Sequence, residues 1–208
     1  EITDRIQPSD ISFDMVTLRY DSNLPAVEKI GNVTVYRIGF GMKNPTMSDL
    51  VKFPMYLLKV FYPPLAFLKA ILLDKKFHYD GCWAMMSYMG FPVVFLRLFY
   101  RRIPYILTLQ EGDTPDYMAG RWRIRIVYPF YKLAFLVPNM VQAISNFLGS
   151  WAREMGYKGQ LEVIPNGVDT KYFSQKFYEI ELRELKEKLS KEENDIFLIT
   201  TSRLVKKN

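Results

Sequence analysis

Residues 108–113, Thr-Leu-Gln-Glu-Gly-Asp, place an amide, Gln110, and two carboxylates, Glu111 and Asp113, directly behind an apolar run of strand character. Carboxylates so placed can orient sugar hydroxyls or handle a proton. They can equally cap the helix that follows, and spacing alone favours that plainer role. A second cluster, Asn166, Gly167 and Asp169 around Val168, joins a turn glycine to side chains that bond their own backbone, which is all that a chain reversal requires. The third is Arg203 with Lys206 and Lys207 near the end of the sequence, where cationic donors and backbone amides could meet a diphosphate or simply lie on a solvated surface. No glycine-rich phosphate loop of the dinucleotide or P-loop type occurs, which argues against nicotinamide enzymes and nucleoside triphosphatases.

All three clusters, each directly after an expected strand, gain weight from the elements expected to carry them. Strand-like apolar runs recur at residues 13–18, 33–38, 105–109, 140–144, 161–164 and 196–200. Helical stretches separate most of them. Residues 146–155 place Phe147, Leu148, Trp151 and Met155 on one helical face, with Ser145 as N-cap and Gly156 as stop. Strands that alternate with helices and are themselves almost wholly apolar predict an α/β domain with a doubly wound parallel sheet. In such sheets ligands bind beyond the carboxyl ends of the strands, where residues 110–113 and 166–169 fall.

After the turn at 165–169 the character changes to a charged amphipathic helix over 177–189, with Tyr178, Leu182, Leu185 and Leu189 in one stripe and Glu–Lys or Glu–Arg pairs four residues apart on the other side. A domain boundary is expected near residue 175.

Composition narrows the function classes. Over 208 residues, 49% hydrophobic and 24% charged residues are ordinary globular proportions, excluding a disordered, collagen-like or coiled-coil chain. One cysteine, Cys82, and one histidine, His78, exclude zinc sites of the Cys/His type, and no other metal site is expected. A single cysteine can form no internal disulfide and fits a reducing compartment. His78 has no partner in sight for a catalytic triad. The net charge of +6 favours anionic partners. Residues 53–73 are the most apolar stretch, but Pro54, Pro63 and Pro64 interrupt it and Lys59 and Lys69 charge it, so no membrane-spanning helix is expected. Aromatic and basic residues interleave over 91–102 and 121–132. Arg97, Arg101 and Arg102 are candidates for contact with anionic headgroups, unless these arginines are the solvated rim of helices packed on the sheet. No nucleic-acid reading module is visible, so nucleic acid is not an expected partner.

Taken in order, Pro104-Tyr105-Ile106-Leu107-Thr108-Leu109-Gln110-Glu111-Gly112-Asp113, Val141-Gln142-Ala143-Ile144-Ser145, Val163-Ile164-Pro165-Asn166-Gly167-Val168-Asp169 with Phe173, and Ser202-Arg203-Leu204-Val205 resemble family 4 glycosyltransferases. The resemblance implies a GT-B architecture of two Rossmann-like domains facing a cleft. Residues 1–175 would form the N-terminal, acceptor-side domain, and 176–208 the beginning of the C-terminal domain that binds a nucleotide sugar. It implies a sequence truncated at both ends, lacking the first strand with its glycine-rich turn and the downstream paired-glutamate motif. Gln110 stands where many relatives carry a histidine near the transferred sugar, which turns attention to Glu111 and Asp113 as acids. Arg203 matches an arginine used on the donor diphosphate. The partner lysine falls at Asn208, with Lys207 one residue early. Asn166, Gly167 and Asp169 match the interdomain motif that shapes the cleft floor, and Ser145 is acceptor-side or structural.

The activity so implied is transfer of a sugar from a UDP- or GDP-linked donor to a glycan or lipid-linked acceptor. It would retain anomeric configuration and use no cofactor or metal, in the cytoplasm or on the cytoplasmic membrane face. Two other readings share these features: a non-catalytic module that binds anionic membranes, and a GT-B-like epimerase or phosphorylase that releases product without an added acceptor.

Overall fold

The computed structural model describes residues 2–46, 48–49, 52–100, 103–112, 120 and 122–199. It divides into two compact units, Glu1–Pro165 and Asn166–Asn208. The division lies ten residues before the expected boundary because the sheet of the first unit ends at Ile164, whose N–H still bonds Ala143 O at 2.8 Å.

Unit 1 contains two sheets. In the first, β1 (Phe13–Leu18), β2 (Val27–Ile30) and β3 (Val33–Ile38) are ordered β1-β3-β2, with β1 parallel and β2 antiparallel to β3. The hairpin between β2 and β3 was not expected from sequence. It turns at Gly31, whose φ of +55° suits a residue without Cβ, and at Asn32, whose side-chain amide donates to Ile6 O and Ile11 O at 3.0 and 2.8 Å. The second sheet is the expected parallel one: β4 (Cys82–Met85), β5 (Tyr105–Leu109), β6 (Met140–Ala143) and β7 (Gln160–Val163), paired in chain order. Helices α2 (Gly90–Phe99), α3 (Trp122–Ile126), α4 (Tyr128–Leu136) and α5 (Asn146–Glu154) make its crossovers.

The core gathers on β5 and β6. Tyr105, Leu107, Leu109, Val141 and Ala143 are inaccessible to solvent, and Tyr131, Phe135 and Trp151 pack edge-on above them. Gly90 is required where α2 meets α4, since a Cβ there would stand 2.8 Å from that of Ala134 and 2.6 Å from the Tyr105 hydroxyl. Helix α5 starts at its expected cap, with Leu148 N–H donating to Ser145 Oγ at 3.3 Å, and stops at Gly156 with φ +99°. Of its expected apolar face, Leu148, Trp151 and Met155 are buried while Phe147 is exposed.

Helix α1 (Met55–Phe77) corrects the reading of residues 53–73. Pro63 and Pro64 lie inside one continuous 23-residue helix. Pro63 has no N–H for the carbonyl of Lys59 four residues earlier. The Tyr88 hydroxyl donates to that carbonyl instead. By length and composition α1 is long and apolar enough to cross a membrane. It lies against β1, β3 and α2, with the Tyr62 hydroxyl donating to Val16 O at 2.9 Å, and ends in left-handed His78.

Burial pushes the Tyr62 hydroxyl up to about 12 from its ordinary 10.0. The fold therefore favours the neutral phenol: its contribution is complete below pH 10 and is lost as pH rises from 10 towards 12, by roughly 2–3 kcal/mol at about 1.4 kcal/mol per unit. Urea midpoints should fall steeply as pH rises from 10 towards 12. A flat profile over that range would contradict the burial argument.

In unit 2, α6 (Thr170–Phe173) is capped by Asp169, which accepts from Lys171 and Tyr172 N–H at 3.0 and 3.2 Å. Helix α7 (Glu179–Lys188) follows, its stripe of Tyr178, Leu182, Leu185 and Leu189 exposed. The strand expected at 196–200 does not form over Ile196–Ile199, which pairs with no strand among the described residues and is largely exposed.

Candidate functional site

The carboxyl ends of the four parallel strands meet along one edge of unit 1, and the ladder runs on past them. Met86 N–H donates to Thr108 O at 2.7 Å, Ile144 N–H to Leu109 O at 3.1 Å, and Ile164 N–H to Ala143 O at 2.8 Å. Beneath this rim a side-chain relay joins β4, β5 and β6 and reaches the backbone just past β7. Trp83 Nε1–H donates to Thr108 Oγ1 at 2.8 Å, Thr108 donates to Gln142 Oε1 at 2.8 Å, and the Gln142 amide reaches Ile164 O at 3.4 Å. Each partner fixes the next, so the strand ends are held in register by polar bonds that would be costly to leave unmade.

Sequence reasoning did not single out Trp83 or Thr108 as parts of such a relay, and met Gln142 only within a motif. The signal was present: Thr108 and Gln142 are polar residues in otherwise apolar strands, and a buried polar group requires a partner.

Glu111 sits just beyond β5. Its Oε1 accepts the backbone N–H of Ser87, the residue that opens the 3-10 turn Ser87–Met89 leading into α2. The carboxylate thus lies at the positive end of a helix, which stabilises negative charge there. Capping was the plainer role expected for acids in this stretch. The helix served is the preceding one in the chain and not the one that follows. The other carboxylate oxygen, Oε2, is buried with no hydrogen-bond partner among the described residues. Beside it, the Ser87 hydroxyl is fully buried and 3.0 Å from that of Tyr131. Met86, which leads into this turn, holds a φ of +74°, a conformation that costs a non-glycine residue about 1–3 kcal/mol and tends to mark functional turns.

Gln110 is half-buried between β5 and Glu111. Ser145, at the end of β6, spends its hydroxyl on the α5 cap. Asn166, Gly167 and Asp169 are exposed in unit 2. Asp113, Arg203 and Lys207 lie outside the described residues, as do Arg101 and Arg102. Arg97 is found at the opposite end of the sheet, donating to Asn139 Oδ1 at 2.8 Å, the same oxygen that accepts Tyr105 N–H at 3.1 Å. Among the described residues no three His, Cys, Asp or Glu side chains gather as metal ligands. The site therefore offers hydrogen-bond acceptors and a carboxylate with one buried oxygen, a set that suits holding a hydroxyl group.

Comparison with known proteins agrees on the fold. The model of Glycosyltransferase Family 4 matches residues 5–172. Sucrose-phosphate synthase from Thermosynechococcus elongatus is similar in two solved structures. One superposes with a TM-score of 0.51 at 19% identity, covering 85% of each chain. The other does so with 0.57 at 18% identity, covering 85% of this chain and 42% of that one. No curated protein sequence matches.

Proposed function

Because this chain belongs to glycosyltransferase family 4, we propose that it is the acceptor-side part of an enzyme that moves a sugar from a UDP- or GDP-linked donor to a lipid-linked or glycan acceptor at the cytoplasmic face of a membrane. The observation that carries this reading, beyond the family match, is Glu111 at the carboxyl end of β5, with one oxygen on the Ser87 amide and the other buried without a partner among the described residues. That oxygen accepts the hydrogen bond of the incoming hydroxyl and turns its lone pair toward the anomeric carbon, with Gln110 beside it contacting the transferred sugar. Asp113 is the second acid of the set.

In the reaction the bond from the anomeric carbon to the diphosphate oxygen breaks and a bond to the acceptor oxygen forms. The hydroxyl proton passes to the departing phosphate. The nucleoside diphosphate gathers negative charge as it leaves, and Arg203 and Lys207 are the cations proposed to stabilise that charge. Asn166, Gly167 and Asp169 shape the segment between the two domains. The transfer retains anomeric configuration and uses no cofactor.

The test is incubation of the whole enzyme, this chain together with its donor-binding part, with radiolabelled UDP- and GDP-hexoses and a membrane-lipid or glycan acceptor fraction. Label should move from the water-soluble donor into acceptor. Free sugar or an isomerised donor formed without any acceptor would point to a phosphorylase or epimerase, and no turnover of any donor by folded protein would reject the reading.

A further inference from the structure

Helices α1 to α4 share unit 1 as neighbours, α1 against α2, α2 against α4 and α3 against α4. Ring contacts knit α1, α2 and α4 together, with Phe67 of α1 6.0 Å from Phe95 of α2, and Phe95 5.9 Å from Phe130 of α4. Their charges are of one sign. Across all four helices the only carboxylate is Asp74, and it is buried, its Oδ1 taken by Tyr79 N–H. Lys75, Lys76, Arg125 and Lys132 are exposed.

Along α1 runs a second feature. Leu57, Phe61, Leu65, Leu68 and Leu72, spaced four, four, three and four residues apart, form one line down the helix, and every one is exposed. The opposite side, with Met55, Leu58, Tyr62, Ala66 and Leu73, is buried in the domain. Phe99 of α2 and Ile126 of α3 are exposed as well. An uncovered apolar patch of this extent marks a site of association.

We propose that this face docks on an anionic lipid bilayer, with α1 lying in the plane of the interface, its leucine and phenylalanine line among the upper acyl chains and the flanking cations on the headgroups. Helix α1 has the length and hydropathy to span a bilayer. Its inner side is bonded to the domain through Tyr62 to Val16 O and through Tyr88 to Lys59 O, so only its outer side is free to meet lipid. A second copy on the same face would oppose cation to cation, whereas an anionic bilayer satisfies both the apolar line and the charges. The contact differs from the one the arginine pattern suggested: Arg97 is engaged with Asn139, and α1 leads. The proposal rests on the preceding reading only for its purpose, which is to bring the site to a lipid-linked acceptor.

Flotation with sealed vesicles, without donor or acceptor, tests it. The protein should rise with vesicles of phosphatidylcholine and phosphatidylglycerol and remain below with phosphatidylcholine alone. Joint substitution Phe61→Ser, Leu68→Ser and Leu72→Ser, at side chains 55%, 55% and 64% exposed, should cut the bound fraction at least about tenfold with the circular dichroism unchanged. Should that variant not fold, Leu68→Trp gives an independent reading. Brominated acyl chains should quench its added fluorescence beyond that of the parent protein. Three results would overturn the proposal: no flotation with anionic vesicles, equal flotation of the folded triple variant, or a lipid-free dimer that the triple variant dissolves. Transfer to a detergent-dispersed acceptor is measured separately, so loss of transfer with flotation intact strikes the enzymatic reading alone.

Discussion

Glu111→Gln should lower the turnover of sugar transfer by about a hundredfold or more while leaving urea stability within roughly 0.5 kcal/mol of the parent. The amide keeps an oxygen for the Ser87 N–H, so the anchor at the start of α2 survives. It lacks the charge with which the second oxygen holds and polarises a hydroxyl. Glu111→Ala removes both functions, and should add a stability loss of roughly 1–2 kcal/mol, because the Ser87 amide and the positive end of the helix lose their partner. Initial rates with saturating donor, measured beside urea melts of both variants, separate the roles. If Glu111→Gln transfers sugar at the parental rate while Glu111→Ala loses stability, the carboxylate is an anchor for α2 and nothing more.

The largest effect on stability is expected at Phe135. Its ring is inaccessible to solvent and meets Tyr131 at 5.5 Å and Trp151 at 5.0 Å, both edge-on, so it ties α4 to α5 above the central strands. Truncation to alanine removes the ring and leaves a hole that β5, already filled by Tyr105 and Leu107, cannot move to close. A loss of about 3–5 kcal/mol is expected, against a total of about 5–15 for a domain of this kind. Phe135→Leu should recover more than half of it. Urea denaturation followed by tryptophan fluorescence reads both. A cost under about 1 kcal/mol for Phe135→Ala would mean that the helices repack freely and that the core is looser than the ring geometry requires.

Much of unit 1 was legible because its signals are local. The runs at 13–18, 33–38 and 105–109 are strands with those same limits, and the strands at 140–143 and 160–163 differ from expectation by a residue at the ends. A strand buried on the sheet needs only a short apolar run bounded by breakers, and the sequence carries that pattern openly. The Ser145 cap and the Gly156 stop are also properties of neighbours in the chain, and both stand as read. The family, too, was recognisable from ordered motifs, and it is the family whose model matches residues 5–172.

What failed depended on distant residues. Pro63 disfavours a helix in isolation, and within the fold Tyr88, twenty-nine residues from Lys59, takes the stranded Lys59 carbonyl. Residues 196–199 have the composition of a strand, but a strand exists only with a partner, and none pairs with them among the described residues. The hydrogen bond from Arg97 to Asn139 joins residues forty-two apart, which no local pattern shows.

By itself, then, the sequence determined the alternation of elements, the parallel sheet and the family, since periodicity and caps are written within ten or so residues of each other. Only the tertiary structure decided that Glu111 spends one oxygen on α2 and keeps one buried, that Trp83, Thr108 and Gln142 form one relay, and that α1 buries one apolar side and leaves the other open. Those facts turn on which side of each element finds a neighbour, and two apolar helix faces of equal hydropathy cannot be told apart until one of them is covered.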